Sequence, residues 1–251
     1  VPTNLAGSPF PRRAPDLSRR VSWQTRVTSG QLVGTLMREL PVHPDLTSLQ
    51  TDRRNYQALM SEVKARIFAI RAILDHGRDL HPQIVTETCD LQLRLCCECI
   101  ALACLAVHRS LAGSTANDIM KAYQPGVIMK RLARLHPDFY PVPWNLNVTD
   151  SGWHLTADQE ALASFLSSKA LIDLWENLGR GLHKGSLKSL LTAERPVAND
   201  HPVLDQQLDA LTTFLRMHTI MSHDRSHVII CEGLMDKPDV GVHCSLAIAQ
   251  G

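Results

Sequence analysis

Leu91-Gln92-Leu93-Arg94-Leu95-Cys96-Cys97-Glu98-Cys99-Ile100-Ala101-Leu102-Ala103-Cys104-Leu105 decides the fold. From Leu95 to Val107 it holds one charged residue, Glu98. A helix apolar on every side must be packed on every side, which puts it at the centre of a helical bundle. The helix reads from about Ile84, after a turn at Pro82, to Leu111. Its uncharged run falls short of the roughly 18 to 20 apolar residues that cross a bilayer, so a soluble protein with no membrane partner is expected.

Glu98 is the most informative residue of that helix. A buried carboxylate costs several kcal/mol unless it is paired or hydrogen-bonded. Arg94 lies one turn earlier, and the i, i+4 spacing puts guanidinium and carboxylate on one face. Two roles fit. The pair is a buried structural ion pair that fixes helix register, or Arg94 offers its donor fork to a phosphate or carboxylate while Glu98 orients it. Five of the seven cysteines (Cys89, Cys96, Cys97, Cys99, Cys104) share this helix, and Cys231 and Cys244 follow late. Helix neighbours rarely reach disulfide geometry, and an odd count spread this way is not a secreted framework, so a reducing, cytoplasmic setting is expected. Zinc-knuckle spacing is missing, and the cysteines read as small packed side chains; no metal and no cofactor is expected.

Outward from the central helix, a helix begins at Thr51 or Asp52 as N-cap. Tyr56, Leu59, Met60, Val63, Ile67, Ile70 and Leu74 recur at helical spacing until His76-Gly77. A third helix starts near Ala116, bends at Pro125-Gly126 and resumes to Leu135. His136-Pro137-Asp138-Phe139-Tyr140-Pro141-Val142-Pro143 cannot be helical. Asn145–Val148 and Trp153–Leu155 flank a turn and read as a hairpin. Helical spacing returns through Leu162, Phe165 and Leu166, restarts at a Ser168 cap and continues to Gly179; a further helix runs over about Val203–Met217, and His227–Cys231 and Val240–Ala249 alternate as strands. The fold class is therefore mainly α (α+β): a helical bundle with a small C-terminal antiparallel sheet and a short hairpin.

The 251 residues hold 44% apolar and 20% charged side chains, so a core can form. A formal charge of +1 does not mark the whole chain as a nucleic-acid binder. Residues 1–48 differ from the rest, with Pro2, Pro9, Pro11, Pro15, Pro41 and Pro44 among paired arginines, and read as a mobile basic arm. The arm carries +3, from six arginines against Asp16, Glu39 and Asp45. Residues 49–251 form the one helical domain. No apolar segment follows the arginines, so a signal peptide is not expected.

Two further groups carry candidate chemistry. Trp175 through Ser186 concentrates Arg180, His183 and Lys184 beside Gly179 and Gly181, which let the backbone approach a partner closely. His183 fits either an acid/base role or a cap on the last helical carbonyls. In the proline-rich loop, His136 and Tyr140 either line a pocket, His136 then as a second acid/base candidate, or anchor the loop on the bundle. No Gly-rich phosphate loop, HExxH helix or GxSxG elbow occurs.

The Leu91–Leu105 stretch, Leu135-His136-Pro137-Asp138-Phe139-Tyr140-Pro141 and Leu174-Trp175 through Leu182-His183 together resemble a set of uncharacterised bacterial proteins. In these an LQxR…E helix, a PxxYP loop and a (Y/W)xxxGxxLH helix end follow in this order. The resemblance covers residues 50 to 249 and implies a helix and a small strand pair after the third motif. More loosely the arrangement is similar to HEPN-type helical bundles of prokaryotic defence and toxin systems, whose RNases use Arg, a polar residue and His at R-x4–6-H spacing. Arg38/His43, Arg71/His76, Arg131/His136, Arg195/His201 and Arg216/His223 fit that spacing, but Glu39, Ala72, Leu132, Pro196 and Met217 follow the arginines. Three expectations result. The first is a polyanion, RNA or nucleotide ligand held by Arg94, Glu98, Tyr140, Arg180 and His183. The second is a non-catalytic structural or interaction module, dimerising through the first two long helices. The third is an RNase using His183 or His136.

Overall fold

The computed structural model describes residues 46–109, 122–149, 152–157, 165–182, 201–223 and 227–248. In chain order the elements are α1 (Leu46–His76), a 3-10 turn (Gly77–Asp79), α2 (Pro82–Val107), α3 (Pro125–Leu135), β1 (Val142–Thr149), β2 (Gly152–Ala157), α4 (Ser168–Leu182), α5 (His201–Arg216), β3 (Met217–Met221), β4 (His227–Glu232) and β5 (His243–Ile248). The protein is mainly α with one small antiparallel sheet. Its strand order is β2-β1-β3-β4-β5.

α2 is the inner rod. His81 caps it, its Nδ1 accepting from the Gln83 amide, and Pro82 stands in the first turn where its missing N–H costs nothing. α1 covers one side. Cys96 Sγ donates weakly to the Val63 carbonyl at 3.9 Å, and Arg66 donates Nη1 to Gln92 Oε1 at 2.6 Å while pairing with Glu62. α4 and α3 cover a second side, and the core built this way includes Tyr56, Met60, Ile67, Leu93, Ile100, Ile128, Leu132 and Leu171. At the open end of the α1/α2 pair, buried Asp52 meets Arg109 at 2.6 Å.

Several boundaries differ from the sequence reading. α1 already runs from Leu46, so Thr51 is no cap: its hydroxyl donates to the Thr47 carbonyl a turn back. Asp52 is used by Arg109 instead. Pro125 opens α3 behind the Gln124 N-cap, so Pro125-Gly126 is a start and not a bend, as expected of proline in a first turn. The Ser167 hydroxyl, one residue before the expected cap, accepts from the Ala170 amide. α4 passes through Gly179 and Gly181 to Leu182. The strand β3, which follows α5 directly, was not anticipated; it joins the expected hairpin and the C-terminal strands into one sheet. Residues 1–45 and the expected start of a helix at Ala116 lie outside the described residues.

β5 packs on α1, and His218, which shares a cross-strand row with Cys231 and Cys244, meets α1 through the Tyr56 hydroxyl. α1 also reaches the sheet margin. Arg53 Nη1 donates to the Cys244 carbonyl at 2.8 Å, and Ser61 Oγ accepts from the Val242 amide at 3.1 Å.

Candidate functional site

Arg94, Glu98 and Trp175 form a closed polar joint between α2 and α4. The guanidinium carbon lies 3.8 Å from the Trp175 ring centroid, and Nη1 donates to the Trp175 carbonyl at 2.9 Å. The indole N–H donates to Glu98 Oε1 at 2.9 Å, and Arg94 Nε stands 3.7 Å from the same oxygen. Gly179 completes the joint: a Cβ there would sit 2.1 Å from Arg94 Nη1. The close approach read from the glycines is thus made by Arg94, and α4 continues beneath it. About a fifth of each charged side chain stays exposed, so Glu98 is half-buried and paired.

The other nominated residues do not gather around this joint. Arg180 is exposed and donates to Asn177 on its own helix. Tyr140 turns inward. Its hydroxyl donates to the Leu166 carbonyl at 2.8 Å, its ring contacts Phe139, Phe165 and Phe214, and burial holds the phenol well above its ordinary pKa. His136 ends α3, buried, with its ring 5.2 Å from that of His108. His183 and Lys184 lie outside the described residues. The structure therefore joins Arg94 to Glu98 and leaves Tyr140, His136 and Arg180 in separate settings.

Three polar arrangements went unread in the sequence. Lys64, 1% exposed, donates Nζ to the carbonyls of Leu234, Lys237 and Val240 at 2.6, 2.8 and 2.7 Å. Burial lowers its pKa while Asp236 acts in the opposite sense. His218 Nδ1 lies 2.8 Å from the Phe214 carbonyl, which can only accept. Nδ1 therefore carries the proton, and Nε2 accepts from the Tyr56 hydroxyl at 2.7 Å. His108 stands between the Cys104 carbonyl at 2.8 Å and the Met221 carbonyl at 3.1 Å. Burial brings both imidazoles down to about 4, against two carbonyl contacts at His108 and one at His218 that favour the cation; His218, with one nitrogen on a carbonyl and the other on a hydroxyl, is fully partnered as the neutral ring. The spacing of a lysine among apolar helix positions was the one available signal; its partners are some 170 residues away and leave no local trace.

Chemically these groups are occupied. Burial raises the thiol pKa of Cys89 and Cys99 to about 11 and also raises those of Cys96, Cys97, Cys104 and Cys231, so these thiols are protonated at neutral pH. Among the described residues no group of three or more His, Cys, Asp or Glu is placed to hold a metal, and no helix is long and apolar enough to cross a membrane. An open cleft of about 430 Å³ between α1 and α5 is lined by Arg71, Leu74, Asp75, Asp205, Leu208 and Asp209. Arg71, of the Arg71/His76 spacing pair, lines it, but none of Arg94, Glu98, His136, Tyr140 and Arg180 does. No protein-family model, curated protein or solved structure matches the chain.

Proposed function

We propose that the chain is a non-catalytic interaction module that pairs with a second copy of itself through the outer face of α2. The observation that carries this reading is an apolar stripe on α2 that the described residues leave partly exposed. On α2, Gln92 and Cys96 face α1 while Arg94 and Glu98 face α4. The sector between them bears Ile84, Leu91 and Leu95 at i, i+7 and i+11 spacing, the positions that share one helix face. Ile84 and Leu91 are 51% and 43% exposed. Large, partly exposed aliphatic side chains in helical register are what a helix-to-helix interface uses. In this reading Arg94 and Glu98 brace the stripe from behind. Light scattering on the purified chain tests it. A dimer is expected, and Ile84→Glu with Leu91→Glu gives a monomer whose circular dichroism is unchanged. A monomer at all concentrations rejects it.

A second reading has its own observation. α3 carries Lys130, Arg131 and Arg134 with no acidic residue, and Tyr123 stands exposed just before it. Cations with a neighbouring aromatic are the footprint of a single-stranded nucleic-acid surface. Anisotropy of a labelled RNA oligomer separates the two. Binding that weakens with salt and is lost in Lys130→Gln/Arg131→Gln/Arg134→Gln supports this surface, and binding untouched by those changes sends the RNA elsewhere. Cleavage of the oligomer by the unaltered chain would favour the RNase reading over both.

A further inference from the structure

Cys231 and Cys244 are direct partners in the β4/β5 register, and both side chains are buried. Whether such a pair is closely or widely spaced depends on where its main-chain groups point. The Cys244 carbonyl accepts from Arg53 and the Val242 amide donates to Ser61, so at both positions the β5 backbone faces away from β4. On β4, the His227 carbonyl accepts from the Ser222 amide, and Gly233 just past the strand donates to Arg216. Cys231 shares the parity of both, so its backbone groups face β3. The two cysteines therefore oppose each other without hydrogen bonds between them, the arrangement with Cα atoms about 4.5 Å apart. Disulfides span Cα separations of about 4.4–6.8 Å. Burial, and after it the neighbouring Cys244 thiol, raise the Cys231 thiol pKa. The five cysteines of α2 have no such relation, because all project from one rod.

We propose that Cys231 and Cys244 are a latent cross-strand disulfide site, closed by a low-molecular-mass disulfide such as oxidised glutathione. β5 is an edge strand held on its outer side by Arg53 and Ser61, so lifting it exposes Cys244 first. The Cys244 thiol loses its proton to solvent, and the thiolate attacks one sulfur of oxidised glutathione. A Cys244–glutathione bond forms and the first glutathione thiolate leaves. Cys231 then loses its proton and attacks the Cys244 sulfur, the mixed bond breaks and the second glutathione thiolate leaves. The two glutathione thiolates take up the two protons. The protein dithiol has been oxidised by two electrons and glutathione disulfide reduced to two glutathiones. His218 opposes Cys231 on β3 but supplies no base, since its two nitrogens are used by Phe214 and Tyr56. Exchange therefore waits on strand opening and is slow.

The full chain incubated with oxidised glutathione at pH 8, with its circular dichroism followed throughout, tests this. Alkylation, cleavage after Glu232 and mass spectrometry are expected to find the Cys231 and Cys244 peptides joined and the five α2 cysteines alkylated. The link should reverse with dithiothreitol and raise the thermal midpoint by several degrees. Cys244→Ala, on the edge strand, should abolish the link with the fold retained. Cys231→Ala should leave a stable glutathione adduct on Cys244; should that variant fail to fold, the native chain and Cys244→Ala still decide. Both thiols alkylatable in the folded native chain, a link between other cysteines, or a Cys244 adduct that never closes would overturn the proposal.

Discussion

At Gly179 the missing Cβ leaves the space that Nη1 of Arg94 fills, so two residues far apart in the chain share one volume. This makes the effect of a methyl group depend on its neighbour. With Arg94 replaced by Ala, Gly179→Ala should stabilise by about 0.5–1 kcal/mol, the ordinary helix preference for alanine. With Arg94 present, the same change should be destabilising, because it expels a guanidinium whose stack and hydrogen bond contribute about 1–2 kcal/mol together. Chemical denaturation of the four chains reads the sign. The buried histidines act at the same scale. His108 and His218 are held at about 4 in the fold against an ordinary 6.5. The unfolded chain binds more protons between those values, so stability is complete above about pH 6.5 and falls as the pH drops towards 4. The loss reaches up to about 3 kcal/mol per histidine. Urea midpoints from pH 8 to 4 should fall in that window, and His218→Gln should reduce the slope. The sequence disclosed the Arg94/Glu98 pair because both members sit on one helix at i, i+4. It was silent on Trp175 as their partner, 77 residues beyond Glu98, and on the burial of His218 and His108.

Among the elements, α1 does the most varied work. One side packs α2, and the other supplies Arg53, Ser61 and Lys64 to β5 and to the loop before it. Lys64 orders that loop from beneath, while Asp236 to Gly241 face solvent above it. Lys64→Met keeps the aliphatic stem and leaves three carbonyls without their donor. A loss of about 2–4 kcal/mol is expected from unpaired groups of this kind, together with faster hydrogen exchange in β5 and unchanged exchange in α2. Unaltered β5 exchange would show that water replaces the ammonium at no cost. Element identity was legible for α1, α2, α4 and α5, where apolar spacing runs over many turns. The limits were less so. The passage of α4 through Gly179 goes with the contact that Arg94 makes there, and local sequence does not carry it. β3 was missed because Met217–Met221 follows α5 without a turn residue between them.

For the whole molecule, the sheet is unevenly joined. β1 pairs with β2 over six positions but with β3 over two, Val142↔Thr219 and Pro143↔His218. Pro143 has no amide to donate there. The β1–β2 hairpin is therefore expected to open as a unit: native-state exchange should show its amides protected by a smaller free energy than those of β3 and β4. Equal protection throughout would mean that side-chain packing holds it instead. The fold class was readable because a bundle and a sheet have different periods. That the hairpin and the C-terminal strands belong to one sheet was not, since the pairing runs through a strand of five residues.

The β5 margin of this sheet also matters in a crowded solution. Along β5 the outward carbonyl of Cys244 is taken by a guanidinium and the outward amide of Val242 by a hydroxyl. A foreign extended chain finds neither group free to add itself there. At these two positions the β5 margin is therefore closed to self-templated growth into fibrils, the hazard that an unpaired edge strand carries.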